Sequence, residues 1–338
     1  MLNQQDISRL RQMVAEAKQA AIVAHINPDG DAVGATMALQ GYLQQFHPHL
    51  TVQAVFPNQP PAFLMWVEGA KSSFCFATDK EKTLQYLQQC DLIFFVDFNN
   101  VDRLEELGAR MRHLTARKVL IDHHPQPDDG FDLEFSDPSM SATCELMYLI
   151  MDALGDAKKL SVATAEALYM GILTDTGSFS YGIQTPSTFR VAADLMALGI
   201  DKNAVASRVF DSYSEHRVRL LGYTLKDKMM VYPEHKAAYI YLSRQELNDY
   251  HFEVGDTESF VNYPLSIKGI ELSAFLYESL DASHIRVSLR SRGKNISVNE
   301  LARTHFKGGG HFNAAGGKFF GTLAQCCTYF EGILQTIK

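Results

Sequence analysis

The 338-residue chain sets 31 Lys and Arg against 39 Asp and Glu, a formal net charge of −8, with 46% hydrophobic and 21% charged residues. That balance is ordinary for a soluble globular protein and excludes a broad cationic surface for long duplex nucleic acid. No apolar run approaches the ~20 residues needed to cross a bilayer, so no membrane partner is expected. The opening MLNQQDISRLRQMVAEAKQA is polar and amphipathic, without an apolar signal core. The cysteines, Cys75, Cys90, Cys144, Cys326 and Cys327, are odd in number and form no CxxC pair. A reducing, cytoplasmic setting is expected, and a cysteine-based zinc site is not.

In chain order, Ile7, Leu10, Met13, Val14 and Ala17 recur at helical spacing, and Ala20 to Ala24 is a short apolar run. DAVGATMALQGYLQQF returns to helix, TVQAVF reads as a strand, KTLQYLQQ as a helix and DLIFFVDF as a buried strand. RKVLIDHH is a further strand, followed by the helices ATCELMYLIMDALG and VATAEALYMGILTD. Continuously apolar strands alternating with helices predict an α/β domain, a doubly wound, mainly parallel sheet covered on both faces. Thr185-Pro186 marks a helix start, with Pro at the first helical position. Helices are predicted through STFRVAADLMALG and NAVASRVFDSYSEHRVRLLGYTL. From Met229 the pattern changes to hairpins, MMVYPEHKAAYIYLS and IELSAFLYESLDASHIRVSLRSR, the second turning at Asp281-Ala282-Ser283. The expected organisation is a domain over 1–190, a helical connector over 191–220 and a smaller α/β domain over 221–338, with a cleft between the two domains.

In open parallel sheets, ligands bind at the carboxyl ends of the strands. Polar residues stand at four such places: His25, Asp29 and Asp31 after the first strand, Asp97 after LIFFV, Asp122-His123-His124 after KVLI, and Asp175 after EALYMGILT. Any one alone is a turn former or helix cap. Together, carboxylates brought to one rim would repel and raise each other's pKa unless a cation neutralised them. Oxygen ligands mixed with imidazole suit Mn²⁺, Mg²⁺ or Fe²⁺, and the ligand supply exceeds one ion's requirement, so two ions are expected. Pro28 and Gly30 would bend the loop so that His25, Asp29 and Asp31 face one pocket. Farther along, His284 to Lys318 holds seven Lys and Arg against one acid, Glu300. This local basic stretch on an acidic chain suggests a small anionic ligand. In KGGGHFNAAGG, the glycines would let backbone N–H groups approach an anion, and FNAAGG would open a helix whose N-terminus favours negative charge.

HINPDGDAVGA, VDFNNVDR, IDHHP and GILTDTGSFSY resemble, in order, the four motifs of the DHH phosphoesterases. VSLRSR and KGGGHFNAAGG resemble the signature of the DHH-associated C-terminal domain, so the likeness covers nearly the whole chain. Within the family the nearest pattern is the nanoRNase and pAp-phosphatase (NrnA-like) group. The resemblance implies one metal ion on His25, Asp29 and Asp97. It implies a second on Asp31, Asp97, His123 and Asp175, with Asp97 bridging. It gives Asp122 the task of orienting a histidine and places His124 against the phosphate or leaving group. Gly308, Gly309, Gly310 and His311, with Arg290 and Ser291 nearby, would grip the substrate phosphate. Arg103 matches a recurring family position, structural or phosphate-facing.

The function so implied is metal-assisted phosphoester hydrolysis with two Mn²⁺, Mg²⁺, Co²⁺ or Fe²⁺ being alternatives. The substrates would be short single-stranded RNA pieces, dinucleotides such as pApA, and 3′-phosphoadenosine 5′-phosphate. A homodimer is compatible with the pattern. Three rivals are a RecJ-like single-strand exonuclease, a family II pyrophosphatase and a non-catalytic nucleotide sensor. Such a sensor predicts a missing ligand, and every ligand position is filled.

Overall fold

The computed structural model describes residues 2–281 and 283–337. They divide into two compact units, one ending at Ser212 and the other starting at Tyr213.

The first unit runs α1 (Gln4–Glu16), β1 (Gln19–Ala24), α2 (Gly30–Phe46), β2 (Thr51–Phe56), β3 (Phe74–Cys75), α3 (Lys80–Gln88), β4 (Leu92–Val96) and α4 (Glu106–Met111). It continues with β5 (Arg117–Asp122), β6 (Leu133–Ser136), α5 (Thr143–Ala153), α6 (Val162–Asp175), α7 (Ser187–Ala197) and α8 (Lys202–Phe210). Its sheet has the order β3-β2-β1-β4-β5-β6, with every pair parallel. The strands are apolar on both sides because both sides are covered. Ile22, Phe94 and Ile121 pack under α1, α2, α5 and α6, while Val23, Phe95 and Leu120 join Leu87, Leu107 and Met111 from α3 and α4. The chain builds outward from β1 in one direction and from β4 in the other, so the switch point lies between them. The predicted doubly wound parallel sheet is what forms. The two-residue β3 and the four-residue β6 were not read from the sequence, being too short to show a period.

Helices α2 and α6 approach through small residues. A methyl group added at Gly34 would stand 2.5 Å from the Ala167 carbonyl oxygen, and one at Gly30 would collide with Thr174 Oγ1. This closeness lets α2 start directly beneath the end of α6, where Asp29, Asp31 and Asp175 meet.

The second unit contains α9 (Glu215–Asp227), β7 (Met229–Tyr232), β8 (Ala237–Leu242), α10 (Arg244–Asp249), β9 (Leu272–Glu278) and β10 (Ile285–Ser291). It closes with α11 (Val298–His305), β11 (Gly309–Gly310), β12 (Ala314–Phe319) and α12 (Leu323–Leu334). The sheet order is β11-β12-β10-β9-β8-β7, antiparallel except for the β8–β9 pair. Both predicted hairpins form. Ala282, in the predicted turn of the second, lies outside the described residues. Leu276, Val287 and Leu289 face α11 and α12, and Ile240 and Phe275 pack with Leu220 and Phe260 on the opposite side.

Three sequence expectations change. The helix predicted through NAVASRVFDSYSEHRVRLLGYTL is two helices, because Ser214 accepts from the Arg217 N–H and starts α9 afresh. Helix α7 begins at Ser187 with Pro186 in the preceding cap position, one residue later than expected. FNAAGG opens no helix: Ala314–Phe319 is a strand paired with β10, with Ile285 opposite Phe319 and Arg290 opposite Ala314.

Gly34→Ala should destabilise the protein although Ala is the better helix former. Overpacking against the Ala167 carbonyl costs about 1–3 kcal/mol, against about 1 kcal/mol gained in propensity. Urea unfolding should show a lower midpoint at unchanged slope; a raised midpoint would contradict the packing described.

Candidate metal centre

The site is built at the carboxyl ends of β1, β4 and β5. His25 follows β1 and is 4% exposed. Its Nδ1 lies 2.8 Å from the Ile26 carbonyl oxygen, which can only accept, so Nδ1 carries the proton and Nε2 presents a lone pair. His123 follows β5 and is held the same way, Nδ1 donating to the Met140 carbonyl at 3.2 Å. Both Nε2 atoms turn inward. Among the described residues His25 Nε2 has no hydrogen-bond partner although it is buried.

Asp97 follows β4 and stands between the two imidazoles. Its Oδ2 is 3.5 Å from His25 Nε2 and its Oδ1 is 3.6 Å from His123 Nε2. The backbone there is left-handed, with φ 65°, a conformation Asp tolerates better than most residues. Its N–H is tied to the Ile121 carbonyl at 3.0 Å, and the carboxylate accepts from Thr143 Oγ1 at 2.9 Å.

Asp29 and Asp31 divide the work at the start of α2. Asp29 caps the helix, its Oδ1 accepting from the N–H groups of Asp31 and Ala32. Its Oδ2 lies 3.9 Å from His25 Nε2. Asp31, 1% exposed, accepts from the Thr143 N–H at 2.6 Å and the Cys144 N–H at 2.9 Å, the N-terminus of α5. His123 Nε2 also lies 3.8 Å from Asp31 Oδ2 and 3.3 Å from Asp175 Oδ2. Thus the structure gathers His25, Asp29, Asp31, Asp97, His123 and Asp175 at one rim, as the sequence led us to expect. His25, Asp29 and Asp97 could hold one ion, and Asp31, Asp97 and His123 another. The unpartnered His25 Nε2 and the inward-facing lone pair of His123 fit such ions.

Asp122 is fully buried and orients His124, accepting from its Nδ1 at 2.7 Å. The His124 Nε2 then accepts from Arg103 Nη1 at 3.1 Å. Sequence reading placed His124 against the substrate and left Arg103 between structural and phosphate-facing roles; the structure joins them in one chain, Asp122–His124–Arg103. It also missed Thr143, which serves both Asp31 and Asp97. A Thr immediately before the apolar run CELMYLI was the available signal.

Electrostatics agrees with the geometry. Burial, reinforced by Asp31, Asp29, Asp175 and Asp122, holds the Asp97 carboxyl well above its usual range. Burial also raises Asp31 and pushes Asp122 up to about 6. Burial, helped by the Arg103 charge, lowers His25 to about 4, keeping it neutral and able to ligate.

In the second unit, Gly308 and Gly310 are demanded by close packing. A methyl group at Gly308 would meet the Gly316 carbonyl oxygen, and one at Gly310 would meet the Ala314 carbonyl oxygen. Gly309 has no neighbour closer than 3.6 Å to such a group. The expected backbone grip on an anion meets competition here, because three of the loop's N–H groups already have partners. The N–H of Gly308 donates to Ala302 O, that of Gly310 to Asn299 Oδ1 and that of His311 to Ala314 O. Ser291 Oγ, 2.8 Å from both Ile296 O and Asn313 Oδ1, braces the loop. The Arg290 and His311 side chains remain as the candidate anion-binding groups.

A carboxyl whose pKa rises on folding costs stability once pH exceeds its unfolded value, about 3.9 for Asp. Asp31, Asp97 and Asp122 should therefore withdraw stability from the metal-free protein as pH climbs from about 4 toward neutrality, while His25, lowered on folding, acts in the opposite sense up to its unfolded value of about 6.5. Asp97→Asn, which fits the left-handed backbone, should raise the metal-free melting temperature at pH 7 by a few degrees, for about 1–2 kcal/mol. It should also shrink the rise that Mn²⁺ gives the native protein. A thermal melt with and without Mn²⁺ checks both; a lower metal-free melting temperature with an undiminished Mn²⁺ response would contradict the site.

The DHH family N-terminal domain matches residues 19–172, and the DHHA1 domain matches residues 235–323. A probable bifunctional oligoribonuclease and PAP phosphatase NrnA from Streptococcus mutans is 32% identical over 315 residues, spanning 93% of this chain and 92% of its own. The bifunctional oligoribonuclease and PAP phosphatase NrnA of Bacillus subtilis is 28% identical over 298 residues, 88% of each chain. A solved exopolyphosphatase-related protein from Bacteroides fragilis is similar in structure, with a TM-score of 0.91 and 36% identity over 99% of this chain and 96% of that one. With its buried carboxylates and imidazoles arranged to receive cations, this chain belongs to the DHH family of metal-dependent phosphoesterases.

Proposed function

We propose that this protein hydrolyses short oligoribonucleotides to mononucleotides and also dephosphorylates 3′-phosphoadenosine 5′-phosphate, with two manganese-type ions as cofactors. The observation that carries this reading is Asp97, whose two carboxylate oxygens face the Nε2 atoms of two different histidines at 3.5 and 3.6 Å. One carboxylate so placed can serve two ions at once. His25 and Asp29 would complete one ligand set, and Asp31, His123 and Asp175 the other. The mixture of carboxylate and imidazole suits Mn²⁺ and its neighbours. Divalent cations there would supply a water acidified toward neutrality and positive charge for the phosphoryl oxygens. The substrate class is supported by the oligoribonuclease and PAP phosphatase relatives, which match most of this chain.

The protein's own groups then have distinct duties. The Ile26 and Met140 carbonyls fix the tautomers of His25 and His123, keeping their lone pairs on the rim. The Thr143 hydroxyl and N–H hold Asp97 and Asp31 at a fixed separation. Asp122 holds His124, and His124 with Arg103 would offer charge and a proton-handling group to the phosphoryl oxygens and the leaving group. In the second unit, Arg290 and His311 would grip the substrate's far phosphate, Arg by its bidentate fork. Such a grip favours short pieces over long chains.

The test is kcat/KM in Mn²⁺ for a dinucleotide, a pentanucleotide, a strand of about 20 nucleotides and 3′-phosphoadenosine 5′-phosphate. The dinucleotide and pentanucleotide should exceed the long strand by at least about tenfold. Preference for the long strand would overturn the short-substrate reading, and no turnover of any of the four would overturn the proposed activity.

A further inference from the structure

We infer that Glu145 is a positioning residue for the metal centre, acting on His123 through the peptide group that joins Met140 to Ser141. The inference rests on the paired-ion reading above and deepens it, naming the group that sets how well one of the two histidines can ligate.

Glu145 lies in the first turn of α5 and is 0% exposed. Its Oε2 accepts from the Ser141 N–H at 2.9 Å, from Ser141 Oγ at 2.7 Å and from Thr188 Oγ1 of α7 at 2.9 Å. Among the described residues its Oε1 has no hydrogen-bond partner although it is buried. Glu246, which closes the first turn of α10 on Ser243 in a similar way, has the Lys228 ammonium beside it. A buried carboxylate met only by neutral donors is costly, and closing a first turn works equally well at the surface. The burial of Glu145 therefore asks for a task beyond capping.

The task is visible in the peptide it holds. A trans peptide points its N–H and its carbonyl in opposite directions. Between Met140 and Ser141, the N–H goes to Glu145 Oε2 and the carbonyl accepts from His123 Nδ1 at 3.2 Å. This peptide is gripped at both ends, so it cannot turn away from His123 without losing the carboxylate. Negative charge behind the N–H also polarises the group and makes its carbonyl the stronger acceptor. A histidine whose Nδ1 proton is held more firmly is the better ligand at Nε2.

His25 meets the same device with a neutral anchor. The Ile26 carbonyl accepts from its Nδ1, and the N–H of the same peptide, that of Asn27, donates to Asn58 Oδ1 at 2.6 Å. Each histidine thus faces a peptide clamped from behind by a side-chain oxygen, a carboxylate for His123 and an amide for His25. The ion served by Asp31, His123 and Asp175 consequently has the more basic imidazole. Thr188 adds a second link. It stands in α7, beyond the stretch that leaves Asp175, so Glu145 ties that stretch to the turn that holds His123.

The test uses the full chain with Glu145→Ala, Glu145→Gln, Thr188→Val and Asn58→Ala. Histidine side-chain nitrogen spectra of the metal-free protein at about pH 8, above the usual imidazole range, show which ring nitrogen carries the proton. Glu145→Ala should bring the Nε2-protonated form of His123 into view and leave His25 protonated on Nδ1. Glu145→Gln, which keeps an acceptor oxygen, should restore the native His123 signal. Thr188→Val, the gentler change, should move His123 in the same direction by less, and Asn58→Ala should move His25 alone. In a calorimetric Mn²⁺ titration, Glu145→Ala should weaken one of two ions about 10–100-fold and leave the other within about twofold. An unmoved His123 signal in every folded variant of Glu145 and Thr188 would overturn the assignment, as would equal disturbance of both histidines in each variant. A native chain that binds no Mn²⁺ would overturn the paired centre, and the His123 signal would still decide the role of Glu145.

Discussion

A carboxylate removed from water needs a counter-charge or a full set of donors, and the first unit buries two of them, Asp31 and Asp97, against one imidazole. Their situations differ. Asp31 receives two N–H groups from the start of α5, so much of its charge is met by protein. Asp97 accepts from the Thr143 hydroxyl and faces four carboxylates, Asp31, Asp29, Asp175 and Asp122, that raise its pKa. The surrounding fold can be understood as the means of holding that unfavourable arrangement. The β1–β4 switch point brings the loops together, the close α2–α6 approach positions Asp31 and Asp175, and backbone carbonyls lock both histidines. A cation between the groups converts the repulsion into binding energy, and folding stability is then linked to metal.

Much of this was legible in the sequence because the signals were of the strongest kinds. Continuous apolar runs at β1, β4 and β5 can only be two-sided parallel strands in an alternating α/β pattern. Each of the expected metal-binding residues stands just past such a run or at a helix end, and the structure brings them together. The readings that failed concern competition between local signals. Ser214 stops a long helical pattern by capping a new helix. FNAAGG has the small residues of a helix start, yet it pairs as a strand because β10 offers a free antiparallel edge and its glycines allow backbones to meet. Arg103 and Thr143 were obscure because their roles depend on partners 21 and 46 residues away in the chain.

The glycines of KGGGH show how a motif can be recognised for one reason and built for another. Gly308 and Gly310 let the loop fold back onto β12 without a steric clash, and the N–H groups of Gly308, Gly310 and His311 are consumed within that fold. Arg290 and His311 are the side chains proposed to bind the anion beside that loop. The first unit concentrates negative groups that invite cations, and the second carries a locally basic stretch from His284 to Lys318.

The most direct measurement is anomalous-difference density at the manganese edge from a crystal equilibrated with Mn²⁺. Two peaks about 3.5–4 Å apart are expected, one on each side of the Asp97 carboxylate, with His25 on the first and His123 on the second. Absence of density between these side chains, or a single ion bound by both histidines, would contradict the paired centre on which the proposed chemistry stands.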